Sequence, residues 1–313
     1  PPGGIAAAEP GDGLAGAGPG DGIAAAGVAL ARALVEFFRA KGHVRERLVV
    51  ARLGLELAAR VDDVRTRAVL LTELGSVHFH RHRLGEAGEH LRQALPLWRR
   101  LGDRLGEARV LNVLGVLAGE AGEHEEALRF MTGSLRLRPR EDVIGRAATL
   151  GNIGRLHTLV GEHDRAVRRL RSAIALARRC GDLDIEANAL INLGDTYAAL
   201  GHHDTALRHL HRSLDIAPTI ADRIKASTLK SLAEVYERSG RHDLAVRHAR
   251  LAVETYRTAE FPRGEALALA DLGRLLRTTD PAASRRILTR ARDLLAALDD
   301  PDTPTLDALA RGS

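Results

Sequence analysis

Apolar and small residues recur along this chain in a pattern that repeats every 39 to 40 residues. In the copy from Ile185 to Ala217, Leu190, Leu193, Gly194 and Tyr197 fall at i, i+3, i+4 and i+7, one stripe of a helix. Gly201 follows as a stop, because glycine enters the left-handed conformation without a Cβ clash. Asp204 reads as the cap of a second helix, on which Ala206, Leu210, Ser213 and Leu214 repeat the stripe before Pro218 ends it. Each copy thus predicts a pair of helices, with Gly194 and Ala206 small enough to let the two approach closely.

The copies align in two lines. One is Leu74-Gly75, Leu114-Gly115, Ile153-Gly154, Leu193-Gly194, Leu232-Ala233 and Leu272-Gly273. The other is Gly122/Ala127, Gly161/Ala166, Gly201/Ala206 and Gly240/Ala245, with His82/Ala87 in the first copy. Between copies, Asp62-Asp63, Gly102-Asp103 and Gly181-Asp182 supply a stop and an N-cap. The expected fold is all-α: a right-handed α-solenoid of about seven helix-turn-helix units, near 23–61, 62–102, 103–141, 142–181, 182–220, 221–260 and 261–298. The first and last units fit the pattern poorly, as terminal caps do, and Asp280-Pro281 shortens the last turn. Residues 1–22, rich in Gly, Ala and Pro and without periodicity, read as a flexible linker, and 299–313 as a frayed tail.

Composition narrows the function classes. The formal charge is +5, from 46 basic and 41 acidic residues. The two signs are interspersed along helix faces, which argues for a solvated surface over a nucleic-acid footprint. The bases are Arg apart from Lys41, Lys225 and Lys230, and with the Ala and Gly load this is the composition of a high-GC genome. A single cysteine, Cys180, fits a reducing cytoplasm and is expected to fill a small apolar site. The apolar stretch 23–38 is interrupted by Arg32 and Glu36, so it reads as a repeat helix and not as a membrane span. The chain begins at Pro1 without Met, the expectation being a piece of a longer protein.

No catalytic constellation is legible: no nucleophile triad, no paired carboxylates and no Gly-x-x-x-x-Gly-Lys-[Ser/Thr] phosphate loop. The chain is therefore read as a non-enzyme that needs no cofactor. His78 and His82 stand at i, i+4, a metal-chelating spacing, but no third donor in a recognised motif accompanies them, and no metal is assigned. His78 also takes the position of Tyr197 and Tyr236 in other copies, which suits packing. His202, His203, His209 and His211 read as a solvated face.

The grammar resembles the tetratricopeptide repeat. Leu71, Leu111, Leu150, Leu190, Leu229 and Leu269 fall where that motif has its Trp, and the Leu-Gly pairs, the second-helix Ala, Tyr197 and Tyr236 match it directly. The resemblance is closest over residues 66–258, with a period longer than the motif's usual one. The Gly-Asp link and Leu190-x-Asn192-Leu193-Gly194 are similar to two groups. One is the repeat half of spindle-orientation scaffolds with GoLoco motifs; the other is the sensor end of actinobacterial transcriptional regulators that carry a signalling ATPase. Leu101-Gly-Asp-Arg-Leu-Gly-Glu-Ala108 looks more like the second.

The resemblance implies a concave groove lined by the first helices, with a protein or peptide segment as partner. It places Arg109, Asn112, Asn152, Arg155, Asn188, Asn192, Asp195, Lys230 and Glu234 on that face, with Val113, Ser231, Asp271 and Arg274 beside them. Asparagine is a poor mid-helix residue, so several on one face call for a reason. Pairing the backbone of an extended peptide is one, since a carboxamide both donates and accepts; cross-linking neighbouring helices is the other. Arg155 and Lys230 are expected to meet acidic groups of the partner. The rival readings are a nucleic-acid-binding array and an oligomerisation module; docking of other domains of the same chain is a variant of the groove reading.

Overall fold

The computed structural model describes residues 19–41, 43–216, 220–298, 300 and 303, which contain fourteen α-helices and no strand. They pair as α1 (Pro19–Lys41) with α2 (Val44–Arg60), α3 (Val64–His80) with α4 (Leu84–Arg100), and α5 (Arg104–Glu120) with α6 (His124–Leu137). There follow α7 (Val143–Leu159) with α8 (His163–Cys180), α9 (Leu183–Ala199) with α10 (His203–Asp215), α11 (Asp222–Arg238) with α12 (His242–Thr258), and α13 (Pro262–Leu276) with α14 (Pro281–Ala296). Helix α1 starts at Pro19, so residues 19–22, expected in the linker, are helical. The rest of that linker, Pro218 and most of the tail lie outside the described residues.

Turn chemistry sets the helix ends. Gly122, Gly161, Gly201 and Gly240 close the first helices at φ between +75° and +80°, and His82 takes the same left-handed place at +58°. Asp63, Asp103 and Asp182 each accept a hydrogen bond of 2.9 Å from the backbone N–H three residues on. Asp204 does not cap α10. The chain turns into that helix two residues earlier than expected, His202 holds the cap position, and Asp204 sits in the first turn, where a carboxylate favours the helix dipole. Removing a used cap is costly: Asp182→Ala should lower stability by about 1 kcal/mol and Asp182→Asn by much less, read from paired thermal melts.

From α4 onward the described links between pairs are of two kinds. After α4, α8 and α12 the link is short, and an arginine at the helix end holds a glutamate at the start of the next: Arg99–Glu107 at 2.8 Å, Arg178–Glu186 at 2.7 Å and Arg257–Glu265 at 2.9 Å. After α6 the link is longer; the buried Arg138 bridges it to Asp142 at 2.5 Å.

Contacts group the chain into two compact bodies, Pro1–Val110 and Leu111–Ser313, where a single array was expected; the boundary falls inside α5. In the N-terminal body α1 packs on α2, α2 on α3 and α3 on α4, around Val35, Leu48, Ala51, Leu70, Leu74 and Val77. In the C-terminal body α7/α8, α9/α10, α11/α12 and α13/α14 pack within and between pairs. The aligned glycines explain how closely. A Cβ on Gly75 would lie 2.5 Å from Leu91, on Gly115 2.6 Å from Met131, on Gly154 2.5 Å from Leu170, on Gly194 2.8 Å from Leu210 and on Gly273 2.7 Å from Leu288. In α11–α12 the equivalent positions are Ala233 and Ala249, so where the first helix gains a methyl the second loses its large side chain. No helix among the described residues is long and apolar enough to cross a membrane.

Candidate functional site

The glycine line faces the second helices, which leaves the residues six, three and two before it and one after it to form a strip along the first helices. In the C-terminal body α7 touches α9, α9 touches α11 and α11 touches α13. Asn152 Nδ2 donates to Asn112 Oδ1 at 3.3 Å, joining α7 to α5. Eight of the nine expected residues belong to this body: Asn112, Asn152, Arg155, Asn188, Asn192, Asp195, Lys230 and Glu234. Arg109 belongs to the other, exposed on α5.

The asparagines differ in how far they are engaged. Asn188 is exposed and donates to the Asp184 carbonyl at 2.8 Å, one turn back on its own helix. Asn112 and Asn152 are half-buried and spend one donor and one acceptor on each other. Asn192 is half-buried, and its carboxamide has no partner among the described residues. A primary amide offers two donors and an oxygen with two lone pairs, so all four keep spare capacity.

The cations are more committed. Arg155 Nη2 lies 2.9 Å from Glu120 on α5, Lys230 Nζ lies 3.3 Å from Asp271 on α13, and Arg274 Nη1 lies 2.8 Å from Glu237 on α11. The expectation that Arg155 and Lys230 meet a partner's acidic groups therefore competes with carboxylates the protein itself supplies. Burial opposes the charge on Lys230, but Asp271 outweighs it and holds the ammonium above its ordinary range. Glu120 and Glu237 were missed in the sequence because they sit in the last turn of their helices, off the expected columns.

Asp195 is half-buried, and burial with the nearby Glu234 carboxylate pushes its pKa up to about 6, against a hydrogen bond from Ser231 and the charges of Lys230 and Arg238. Glu234 is exposed and pairs at 2.9 Å with Arg238 on its own helix. Between α11 and α13 the strip opens into a cleft of about 190 Å³, lined by Lys230, Ala233, Glu234, Glu237, Asp271, Arg274 and Leu275.

His78, His209 and His248 belong to the packing between paired helices, whereas His202 and His211 are exposed as expected. His78 is fully buried, with Nδ1 2.6 Å from Glu86 and its ring 5.4 Å from that of His90. No cluster of three His, Cys, Asp or Glu suited to a metal occurs among the described residues. His209, expected on a solvated face, is half-buried and stacks on Tyr197 at 5.4 Å, and His248 packs on Tyr236 at 4.9 Å. Cys180, expected to be buried, is exposed, because it ends α8 on the outward side; its thiol donates to the Ala177 carbonyl at 3.3 Å.

Comparison with known proteins agrees with this architecture. Residues 66–140 and 145–219 match the tetratricopeptide repeat family. No curated protein matches the chain. Among solved structures, the apo form of RapI has a TM-score of 0.68 at 12% identity, over 87% of this chain and 98% of its own. A Rap protein complexed with competence and sporulation factor has 0.65 at 14%, over 93% and 97%. A signal transduction ATPase with numerous domains and a tetratricopeptide repeat sensor, from Pyrococcus horikoshii, has 0.60 at 13% identity; the match covers 91% of this chain and 47% of that one. At these identities the likeness is one of fold.

Proposed function

Because this chain is a tetratricopeptide repeat protein, we propose that its first-helix strip is a groove that holds a segment of a partner protein. The observation that carries the reading is the pair Asn152 and Asn192, mid-helix and half-buried on touching helices, with hydrogen-bonding capacity the fold does not use up. An extended peptide offers alternating N–H and C=O groups, and a carboxamide answers both. Two structural neighbours support the direction by what they are, a Rap protein complexed with competence and sporulation factor and a signal transduction ATPase with a repeat sensor. On this reading the chain is a cytoplasmic sensor or scaffold module of a bacterial signalling or transcriptional regulator. Its ligand is then a protein segment, either another chain's or that of an attached domain, whose docking biases the regulator.

The test is selection of a random 12-residue peptide library displayed on phage against the purified chain. A selected peptide, resynthesised, should bind the Asn152→Ala/Asn192→Ala variant roughly tenfold more weakly, since two hydrogen bonds of about 0.5–1.5 kcal/mol each are lost. The variant's melt should stay within about 1 kcal/mol of the parent, because only the 3.3 Å Asn112–Asn152 bond is removed from the fold. Failure to enrich any peptide, equal binding by both proteins, or an unfolded variant would each sink the reading.

A further inference from the structure

We infer that the cleft between α11 and α13 is a specificity pocket for a cationic side chain, lysine or arginine, of the segment the strip holds. The inference rests on the groove reading above and adds the chemistry of one position in the partner.

Charge on the lining decides the sign. Two cations, Lys230 and Arg274, stand against three carboxylates, Glu234, Glu237 and Asp271. Both cations are consumed inside the cleft, Lys230 by Asp271 and Arg274 by Glu237. Glu234 is left over: its partner, Arg238, is one turn along the same helix and not part of the lining. An exposed i, i+4 pair is worth only a few tenths of a kcal/mol and is easily exchanged for a better one.

The position just after the glycine line shows why this excess is local. There Arg155 on α7 and Arg274 on α13 each meet an acid at the end of the preceding first helix, Glu120 and Glu237. Asp195 and Glu234, at the same position on α9 and α11, follow helices that end in Leu159 and Ala199, which offer no cation. The two carboxyls therefore lie on touching helices, and Glu234 adds its repulsion to the burial that chiefly raises the Asp195 carboxyl. An incoming ammonium or guanidinium relieves that repulsion; an incoming carboxylate adds to it.

Shape agrees with charge. Ala233 and Leu275 give the cleft an apolar wall, and a volume of about 190 Å³ accommodates a flexible methylene stem that carries its charge at the tip. The carboxylates then sit where that tip arrives, while the Asn152 and Asn192 carboxamides further along the strip hold the backbone.

The experiment uses a peptide from the phage selection, the full chain, and variants of one exposed residue. Selected sequences should share a Lys or Arg at one fixed position. Changing that residue to Gln should weaken binding to the parent by about two- to fivefold, the scale of one partly shielded charge pair, and weaken binding to Glu234→Gln far less. With Glu234→Lys the order should reverse, a peptide bearing Glu at that position binding better than one bearing Lys. Melts of both variants confirm folding, which an exposed position permits. Peptides that bind, depend on Asn152 and Asn192, yet show no charge coupling to position 234 would overturn the pocket and leave the groove standing. Peptides that bind without regard to Asn152 and Asn192, or no peptide at all, would remove the groove itself and the pocket with it.

Discussion

Gly154→Leu should destabilise the C-terminal body by about 3 kcal/mol or more, the upper part of the range for overpacking a close helix contact. A Cβ at this position already falls 2.5 Å from Leu170 Cγ, a branch point that cannot swing aside, and a full leucine needs the two helices to part. Gly154→Ala should cost far less, because the clash of one methyl, about 1–3 kcal/mol, is offset by about 1 kcal/mol of helix propensity. Leu170→Ala alone leaves a hole worth about 2–5 kcal/mol. The double variant Gly154→Ala/Leu170→Ala reproduces the residues that α11 and α12 already carry at Ala233 and Ala249. It should be more stable than the sum of the single changes by about 1 kcal/mol or more. Urea melts of the four proteins measure the coupling; a Gly154→Leu protein that melts like the parent would mean the helices are not held at this distance.

Acid should unfold the protein well before its surface carboxylates are titrated. His78, His90, His209 and His248 all have pKa values lowered from 6.5, each first by burial. For His78 the nearby Glu86 opposes the shift, while His90, Arg52 and Arg83 add to it. For a base with a depressed folded pKa the unfolded chain takes up the proton first. The stability these rings contribute is thus complete above pH 6.5 and is lost as pH falls from there through the folded values. Each ring steepens the fall by at most about 1.4 kcal/mol per pH unit. Asp195 acts with the opposite sign: its folded pKa of about 6 exceeds the ordinary 3.8, so it favours folding at low pH and loses that contribution as pH rises through 6. Four rings against one carboxyl leave a net loss between pH 7 and 5. Chemical-denaturation midpoints across that window should fall, and should fall more steeply in Asp195→Asn. A flat profile would show that the rings stay solvated.

The helix pairs were legible because their cause is local. A glycine that must adopt positive φ, a glycine that must admit a leucine, and an aspartate before a helix each leave the same mark in every copy. What was misread is what depends on where a side chain points at the end of an element. Asp204 matched the sequence of a cap but sits two residues too late, and Cys180 looked like core until the end of α8 turned it outward. The site was legible as a set of positions and not as a set of partners. The Arg155–Glu120, Lys230–Asp271 and Arg274–Glu237 pairs join residues on neighbouring first helices, and no window of one helix contains both members. Each does span close to one repeat period, so comparing charges at a fixed offset between adjacent copies would have found them.

The arginine–glutamate clasps at the short links have a consequence for how such a chain can grow. Arg99, Arg178 and Arg257 stand 79 residues apart, as do Glu107, Glu186 and Glu265, and in the sequence Pro139 and Pro218 keep the same interval. The two family matches, 66–140 and 145–219, are offset by that interval too. The repeating unit in the sequence is therefore a four-helix cassette of 79 residues. Duplicating or deleting a cassette rejoins like with like, whereas a change of one helix pair would set a clasp against a junction that has no place for it.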